Sequence, residues 1–273
     1  MASNLLATRR RDVVAVLDVD QELAEPLAAT RRARALPLSA ARLLRRDVGT
    51  WDSRQDAAHG RDGFGLLVID GLLVRRVGIG GLYAGELLSD GDLLQPAHHD
   101  GEAATLPFEA TWRVLSPLRL AVLDRAWMAR MAPFPEVFGV LMGRAIGRSR
   151  QLASLQAIAQ HHRLDDRLWL FFWELADRYG RVEPDGVRLD VRLTHELIGH
   201  LVSARRPSIS AAIGRLEKAG RLRRTGGSWL LLGPAPDPVA LLSRADGTEP
   251  GDEPTVRRAF PEDAPEPHVR SPR

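Results

Sequence analysis

Apolar positions along the chain change their spacing from region to region, and each change predicts a different kind of element. Over residues 1–40 the stretch QELAEPLAATRRARAL repeats at helical intervals and is interrupted at Pro26, which predicts a helical N-terminal segment. Over 41–130 the apolar runs become short and punctuated. LLVID and GLLVRRV meet at Asp70-Gly71, ELLSDGDLL turns at Asp90-Gly91, and ATWRVLSPLRLAVLD turns at Ser116-Pro117. Asp-Gly tolerates positive φ and favours tight turns, so these runs predict an antiparallel, jelly-roll-like β-roll.

Past Pro133 and Pro135 the pattern becomes that of one long helix, VFGVLMGRAIGRSRQLASLQAIAQHH, within 131–164. Phe138, Leu141, Ala145, Leu152, Leu155 and Ala159 step by threes and fours along one seam whose polar member is Arg148. Such a rod is about 40 Å long, more than a small domain covers, so the seam predicts a dimer interface. Gly139, Gly143 and Gly147 weaken the helix by propensity but permit close backbone approach. DDRLWLFFWELADRY follows as a second helix, whose apolar group Leu168, Phe171, Phe172, Leu175 and Ala176 reads as a domain core.

Chemistry is concentrated in LTHELIGHLVSARRPSISAAIGRLEKAGRL. Thr194 is placed to cap a short helix with Leu197, Ile198, Leu201 and Val202 on its apolar face. Ser203, Ala204 and Arg205 break it, and Pro207 suits the first turn of a second helix. That helix buries Ile209, Ala212, Ile213 and Leu216, and Gly220 closes it. Two short helices across a tight turn predict a helix-turn-helix. Pro207, Ala211, Gly214 and Lys218 point away from the apolar stripe, flanked by Ser208, Ser210 and Arg215. Small outward residues leave room for a groove wall, and Arg206 stands at the helix N-terminus, where base edges are reached. LRRTGGSWLLL then predicts a two-stranded wing turning at Gly226-Gly227, with Arg223 and Arg224 set for phosphates.

Charge sharpens this picture. The net charge of the 273 residues is only +3, yet between Asp190 and Leu232 eight basic residues face three acidic ones. Only one of the 38 basic residues is a lysine, Lys218, so part of the arginine content is compositional. The absence of cysteine excludes disulfides, thiolate metal sites and a cysteine nucleophile. No GxxxxGKS, GxxxxGKT or GxSxG motif offers a foothold for nucleotide hydrolysis or triad chemistry. No apolar run has the length of a membrane helix, and MASNLLATRRRD does not read as a secretory signal, so a cytoplasmic protein without membrane contact is expected. Nine of the 18 prolines lie in the last 40 residues, which predicts a disordered tail over 233–273.

The stretch from Asp165 to Leu232 resembles the winged helix-turn-helix of the Crp/Fnr family of bacterial transcription regulators, whose pattern LTxxxLAxxVGxxRxTVSRxLxxLExxGxI it follows closely. The resemblance makes Arg206 the first base-contacting arginine and Ser208 the contacting threonine or serine. Pro207 and Ala211 replace the glutamate and arginine of some members, so the operator bases are not inherited. DGLLVRR and LLSDGDLL resemble turns of the family's cyclic-nucleotide-binding roll, and WRVLSPLRLAVLDRAWMARM resembles the strands entering its dimerisation helix. Where nucleotide-binding members continue into Gly-Glu-Leu and Arg-Ser or Arg-Thr, this chain has QPAHHDGEAATLPFEA, while Gly85-Glu86-Leu87 lies before the turn. Tight cyclic AMP binding is therefore not expected.

The expected class is α+β: a helical segment over 1–40, a sensor roll over 41–130, a dimerisation helix over 131–164, a winged helix-turn-helix over 165–232, and the tail. The DNA-binding set is Arg205, Arg206, Ser208, Ser210, Ala211, Arg215, Arg223 and Arg224. The implied partners are double-stranded DNA, a second copy of the chain and RNA polymerase, with an effector the sequence does not identify. No cofactor, metal or catalytic residue is called. The alternative is a metal-binding or catalytic cupin-type roll with an accessory helical domain, drawing on His98, His99, Asp100 and Glu102. Against it, adjacent histidines in a strand point to opposite faces. His161-His162 is read as a structural helix end.

Overall fold

Two cores, one on each side of a single sheet, explain why the central strands are apolar at successive positions. The computed structural model describes residues 12–56, 58–59, 62–95 and 108–237. In chain order the elements are β1 (Val13–Ala15), α1 (Val16–Val19), α2 (Ala29–Leu38), β2 (Ala40–Arg46), β3 (Gly49–Trp51), β4 (Gly65–Asp70), β5 (Leu73–Ile79), β6 (Leu82–Leu88), β7 (Leu93–Leu94), β8 (Glu109–Val114) and β9 (Leu118–Leu123). They are followed by α3 (Arg125–Met131), α4 (Pro135–Ala159), α5 (Leu164–Tyr179), β10 (Gly180–Glu183), β11 (Gly186–Leu189), α6 (His195–Leu201), α7 (Arg206–Lys218), β12 (Leu222–Thr225) and β13 (Ser228–Leu231).

The roll is two antiparallel sheets, β1-β2-β9-β4-β7 and β3-β8-β5-β6. Along β9, Leu118, Leu120 and Val122 point between the sheets to meet Trp51, Trp112 and Leu73, while Ala121 and Leu123 point outward into a second core. Leu66 and Val68 of β4 join the first and Leu67 the second. A strand covered on both faces needs no polar alternation. The second core is closed by the N-terminal segment, α3 and the start of α4, through Leu17, Leu23, Ala35, Trp127, Met131, Val137 and Leu141. Trp127 is its anchor: the ring is fully buried, and Nε1 donates to the Ser39 carbonyl at 3.0 Å.

The expected turns are present, but they join sheets, not paired strands. β4 pairs with β9 and β7, whereas β5 pairs with β6 and β8, so Asp70-Gly71 is a corner of the roll. The β6–β7 and β8–β9 turns also cross between sheets. Two corners brace one another: Leu72 N–H donates to Ser116 Oγ at 2.8 Å, and a Cβ on Gly71 (φ 110°) would lie 2.4 Å from the Pro117 carbonyl oxygen. The N-terminal stretch, expected to be helical, also contributes β1, paired to β2 through Val13 and Arg42.

The long helix corrects the expected seam. Leu141 is fully buried within its own chain, and Phe138 packs against Phe64 and Trp127. Arg148 reaches into the roll, Leu152 lines its cavity and Leu155 packs on the C-terminal core. Of the seam, Ala145 is exposed and Ala159 half-buried. The seam thus mainly covers the roll; the exposed apolar residues of α4 are Met142 (53% exposed), at the rim of the roll-facing side, and Ile146 (48%), on the side away from the roll with Gly139, Gly143 and Gly147. Among the described residues no helix is long and apolar enough to cross a membrane. Of the expected tail, residues 238–273 lie outside the described residues.

Removing the Trp127 ring creates a large void and takes one of two donors from the Ser39 carbonyl, which keeps its bond from Val16 N–H at 3.2 Å. Trp127→Ala is expected to lower unfolding free energy by about 3–5 kcal/mol, read from urea denaturation.

Candidate nucleic-acid interface

The C-terminal domain is built around α5. Its Leu168, Phe171, Phe172 and Leu175 form the floor on which α6, α7 and a small sheet pack, with Trp229 against Phe172 at 5.2 Å between centroids. Thr194 caps α6, its side chain accepting from Leu197 N–H at 3.1 Å. Leu197, Ile198, Leu201 and Val202 are buried. The turn into α7 depends on two features the apolar pattern does not reveal. Ser203 adopts φ 55°, and a Cβ on Gly199 would lie 2.5 Å from the Ala204 carbonyl oxygen, so the helices approach closely there.

Helix α7 begins at Arg206 with Pro207 in its first turn and buries Ile209, Ala212, Ile213 and Leu216. It ends in paired bonds from Gly220 N–H to the Glu217 carbonyl and Arg221 N–H to the Leu216 carbonyl, each at 3.0 Å, with Gly220 at φ 65°. This is the geometry that ends a helix sharply. β12 and β13 then pair through Thr225 and Ser228 around Gly226-Gly227, both at positive φ, as a two-residue primed turn requires. The wing is wider than two strands: β13 also pairs with β11, giving the sheet β10-β11-β13-β12.

All eight residues expected to meet DNA are exposed. Arg205, Arg206, Ser208 and Ala211 line the start and outer face of α7, and no hydrogen bond or ion pair engages either of these two guanidinium groups among the described residues. The others are more constrained. Arg215 forms a bidentate pair with Asp165 of α5 at 2.7 and 2.6 Å, and this bond holds the Asp165 carboxyl below the usual carboxylate range. Arg223 lies 3.6 Å from Asp185, and the Arg224 guanidinium sits 5.3 Å from the Trp229 ring centroid. Ser210 Oγ is 3.2 Å from the Arg206 carbonyl and 2.8 Å from His195 Nδ1. Sequence reasoning did not select His195, whose only signal was its place directly after the capping threonine.

The roll holds a polar cluster that the sequence alignment did not anticipate. The buried Glu86 carboxylate meets Arg75 at 2.9 Å and Arg148 at 2.5 Å, and Arg148 also donates to the Leu93 carbonyl. A glutamate and an arginine of the roll and an arginine of α4 therefore meet here, with one carboxylate shared between two guanidinium groups. Beside them a cavity of about 400 Å³ runs between the roll and α4, lined by Trp112, Phe64, Met142, Leu152, Gln95 and Ser149 among others. Among the described residues no group of three or more His, Asp or Glu side chains could hold a metal ion. His98, His99, Asp100 and Glu102 lie outside the described residues.

Residues 166–235 match the family model of the Crp-like helix-turn-helix domain. Residues 166–235 of the chain form a Crp-like helix-turn-helix domain. Solved structures with this architecture include a CooA mutant from Carboxydothermus hydrogenoformans, with 18% identity over 75% of this chain and 88% of that one at a TM-score of 0.55. A cyclic nucleotide-binding domain containing protein from Listeria monocytogenes is similar at 11% identity over 69% and 87%, TM-score 0.54. FixK2 from Bradyrhizobium japonicum is similar at 15% over 74% and 96%, TM-score 0.50. At such identities the likeness is one of fold. No curated protein matches the sequence.

In this Crp-like domain the Thr194 cap fixes the start of α6. Thr194→Ala is expected to cost about 1 kcal/mol and Thr194→Ser close to nothing, measured by denaturation; equal losses in both variants contradict the capping role.

Proposed function

We propose that this chain is a dimeric transcription regulator that reads a pseudo-palindromic DNA site through α7. The observation that carries the reading is the outward face of that helix: Arg205 and Arg206 at its start, Ser208 and Ala211 small and exposed, and the basic wing beside them. A helix with one face wholly buried and the other cleared of bulk fits a major groove, while the wing supplies phosphate contacts. Arg223 and Arg224 remain in the phosphate set because exposed pairs are weak and a phosphate can displace Asp185. Arg215 is the poorest candidate, since its guanidinium is already held by both oxygens of Asp165.

Dimerisation is assigned to the free face of α4, with Ile146 as the apolar anchor, Met142 at its rim, and Gly139, Gly143 and Gly147 admitting a close second helix. A two-fold pair of recognition helices reads half-sites one helical turn apart, or a multiple of it. RNA polymerase and a small effector are the further partners this reading calls for, and a cytoplasmic location goes with it. The cavity between roll and α4 is the place for an effector. Arg75 and Arg148 share the single Glu86 carboxylate there, so each guanidinium already faces an anion while the three-residue cluster keeps one net positive charge. None of the comparisons supports the cupin-type alternative.

Selecting bound fragments from genomic DNA with purified protein tests binding, site symmetry and base preference together. On the selected site Arg206→Ala is expected to cost about 1–3 kcal/mol and to relax one base position in each half-site. Arg223→Ala and Arg224→Ala are expected to weaken all sequences alike and flatten the salt dependence; titrations on specific and scrambled duplexes at two salt concentrations separate the classes. Ile146→Asp is expected to yield monomers in sizing and to abolish specific binding, whereas a monomer that keeps full affinity contradicts the dimer.

A further inference from the structure

His195 stands where α6, α7 and the wing meet, and the contacts assigned so far give it no task. It is the first residue of α6, its Nδ1 lies 2.8 Å from Ser210 Oγ on α7, and its ring centroid is 6.4 Å from that of Trp229 on β13. The Ser210 hydroxyl has one proton, and the Arg206 carbonyl 3.2 Å away can only accept it. Both contacts are hydrogen bonds at once only if Oγ donates to the carbonyl and Nδ1–H donates to Oγ. The neutral imidazole then carries its proton on Nδ1, and Nε2 keeps a lone pair.

The groups acting on the ring come from both neighbouring elements. Arg224 on β12 and Arg206 on α7 are cationic, and Glu217 on α7 is the one acidic group among them. Partial burial, then the two arginines, hold the imidazole pKa below its ordinary value, so the free protein carries His195 neutral at physiological pH. The ring is thus a neutral base within the electrostatic reach of two cationic side chains.

We propose that His195 is a proton-linked DNA contact: a backbone phosphate docking between Arg206 and Arg224 draws a proton from solvent onto Nε2, and the imidazolium donates to that phosphate. This rests on the DNA-binding reading and adds a pH response to the same site. The sign follows from linkage. The complex holds more protons than the free protein, so affinity is greatest at low pH. It falls as pH rises from the depressed pKa of the free ring to the raised pKa of the bound one. One proton per subunit limits the slope to about tenfold per pH unit per subunit.

The test uses the full chain and its selected duplex, with anisotropy titrations from about pH 5.5 to about pH 8 at constant ionic strength. Calorimetry near pH 6.5 in two buffers of different ionisation enthalpy measures proton uptake directly. Wild-type affinity is expected to fall at least about threefold between pH 6 and pH 8, with net proton uptake. His195→Gln keeps an N–H donor for Ser210 but cannot be protonated; it is expected to match wild type at pH 8 and to lose His195's share of the slope. The other seven histidines, His59, His98, His99, His161, His162, His200 and His268, remain in that variant, so their contribution is subtracted. Ser210→Ala, which keeps the imidazole, is expected to retain uptake. Equal slopes in wild type and His195→Gln, no uptake by wild type, or a His195→Gln loss that is the same at every pH each overturn the proposal while leaving DNA binding intact. Failure to bind any duplex at any pH overturns the DNA-binding reading itself, and this proposal with it.

Discussion

A carboxylate as deeply buried as that of Glu86 has to be matched by cations, and the match decides where the long helix lies. Arg75 reaches it from the neighbouring strand and Arg148 from α4, four turns past the helix start. Leaving either charge unpaired costs several kcal/mol, roughly 3–5 when one partner of a buried pair is removed, so the three residues stand or fall together. One turn earlier Arg144 is held by both oxygens of Asp20 and by Glu22, and earlier still Val137 and Leu141 are sunk in the second core. Helix α4 is therefore fixed along one side by apolar contact first and ion pairs later, which leaves its opposite side free.

That placement carries through to the DNA-binding domain. Val74 and Leu87 of the roll belong to the same core as Phe171, Leu201 and Trp229. Gly85 lies so near α6 that an added Cβ would meet Leu201 at 3.3 Å. Arg178, near the end of α5, binds the β6–β7 turn through the Asp92 carboxylate at 2.8 Å and the Asp90 carbonyl at 3.0 Å. Strand β6 thus presents Glu86 to α4 and Gly85 to α6. A shift of this strand acts on both attachments at once, which physically couples the roll to the helix-turn-helix.

The helix-turn-helix was legible because its signals are local. The Thr194 cap, Pro207 in the first turn, the i, i+3, i+4 apolar positions of α7 and the Gly220 ending each state their geometry within a few residues. The roll was legible in class but not in pairing, since Asp70-Gly71 announces a turn without saying whether the flanking strands stay in one sheet. The seam of α4 failed for a related reason. Periodicity shows that Leu141 and Leu155 share a face but not what covers it, and the partner turned out to be the chain's own roll. Glu86, Arg75 and Arg148 were out of reach because their meeting depends on register between β5 and β6 and on the rotation of a helix about 60 residues away.

Counting charge also overstates what is free to act. The basic excess between Asp190 and Leu232 suggested a uniformly cationic face, yet it is graded by local partners. Arg215 is held at two points by Asp165, Arg223 lies at the edge of ion-pair distance from Asp185, and Arg224 rests on Trp229. Arg205 and Arg206 at the start of α7 have no such partner among the described residues. The grading follows chain geometry: the first turn of the helix is exposed, whereas Arg215, nine residues after Arg206, lies back against Asp165 of α5. The charge that the proposed function assigns to base edges is therefore the charge least occupied within the protein. The paired arginines can serve phosphates only by exchanging one anion for another, a substitution that weak exposed pairs permit.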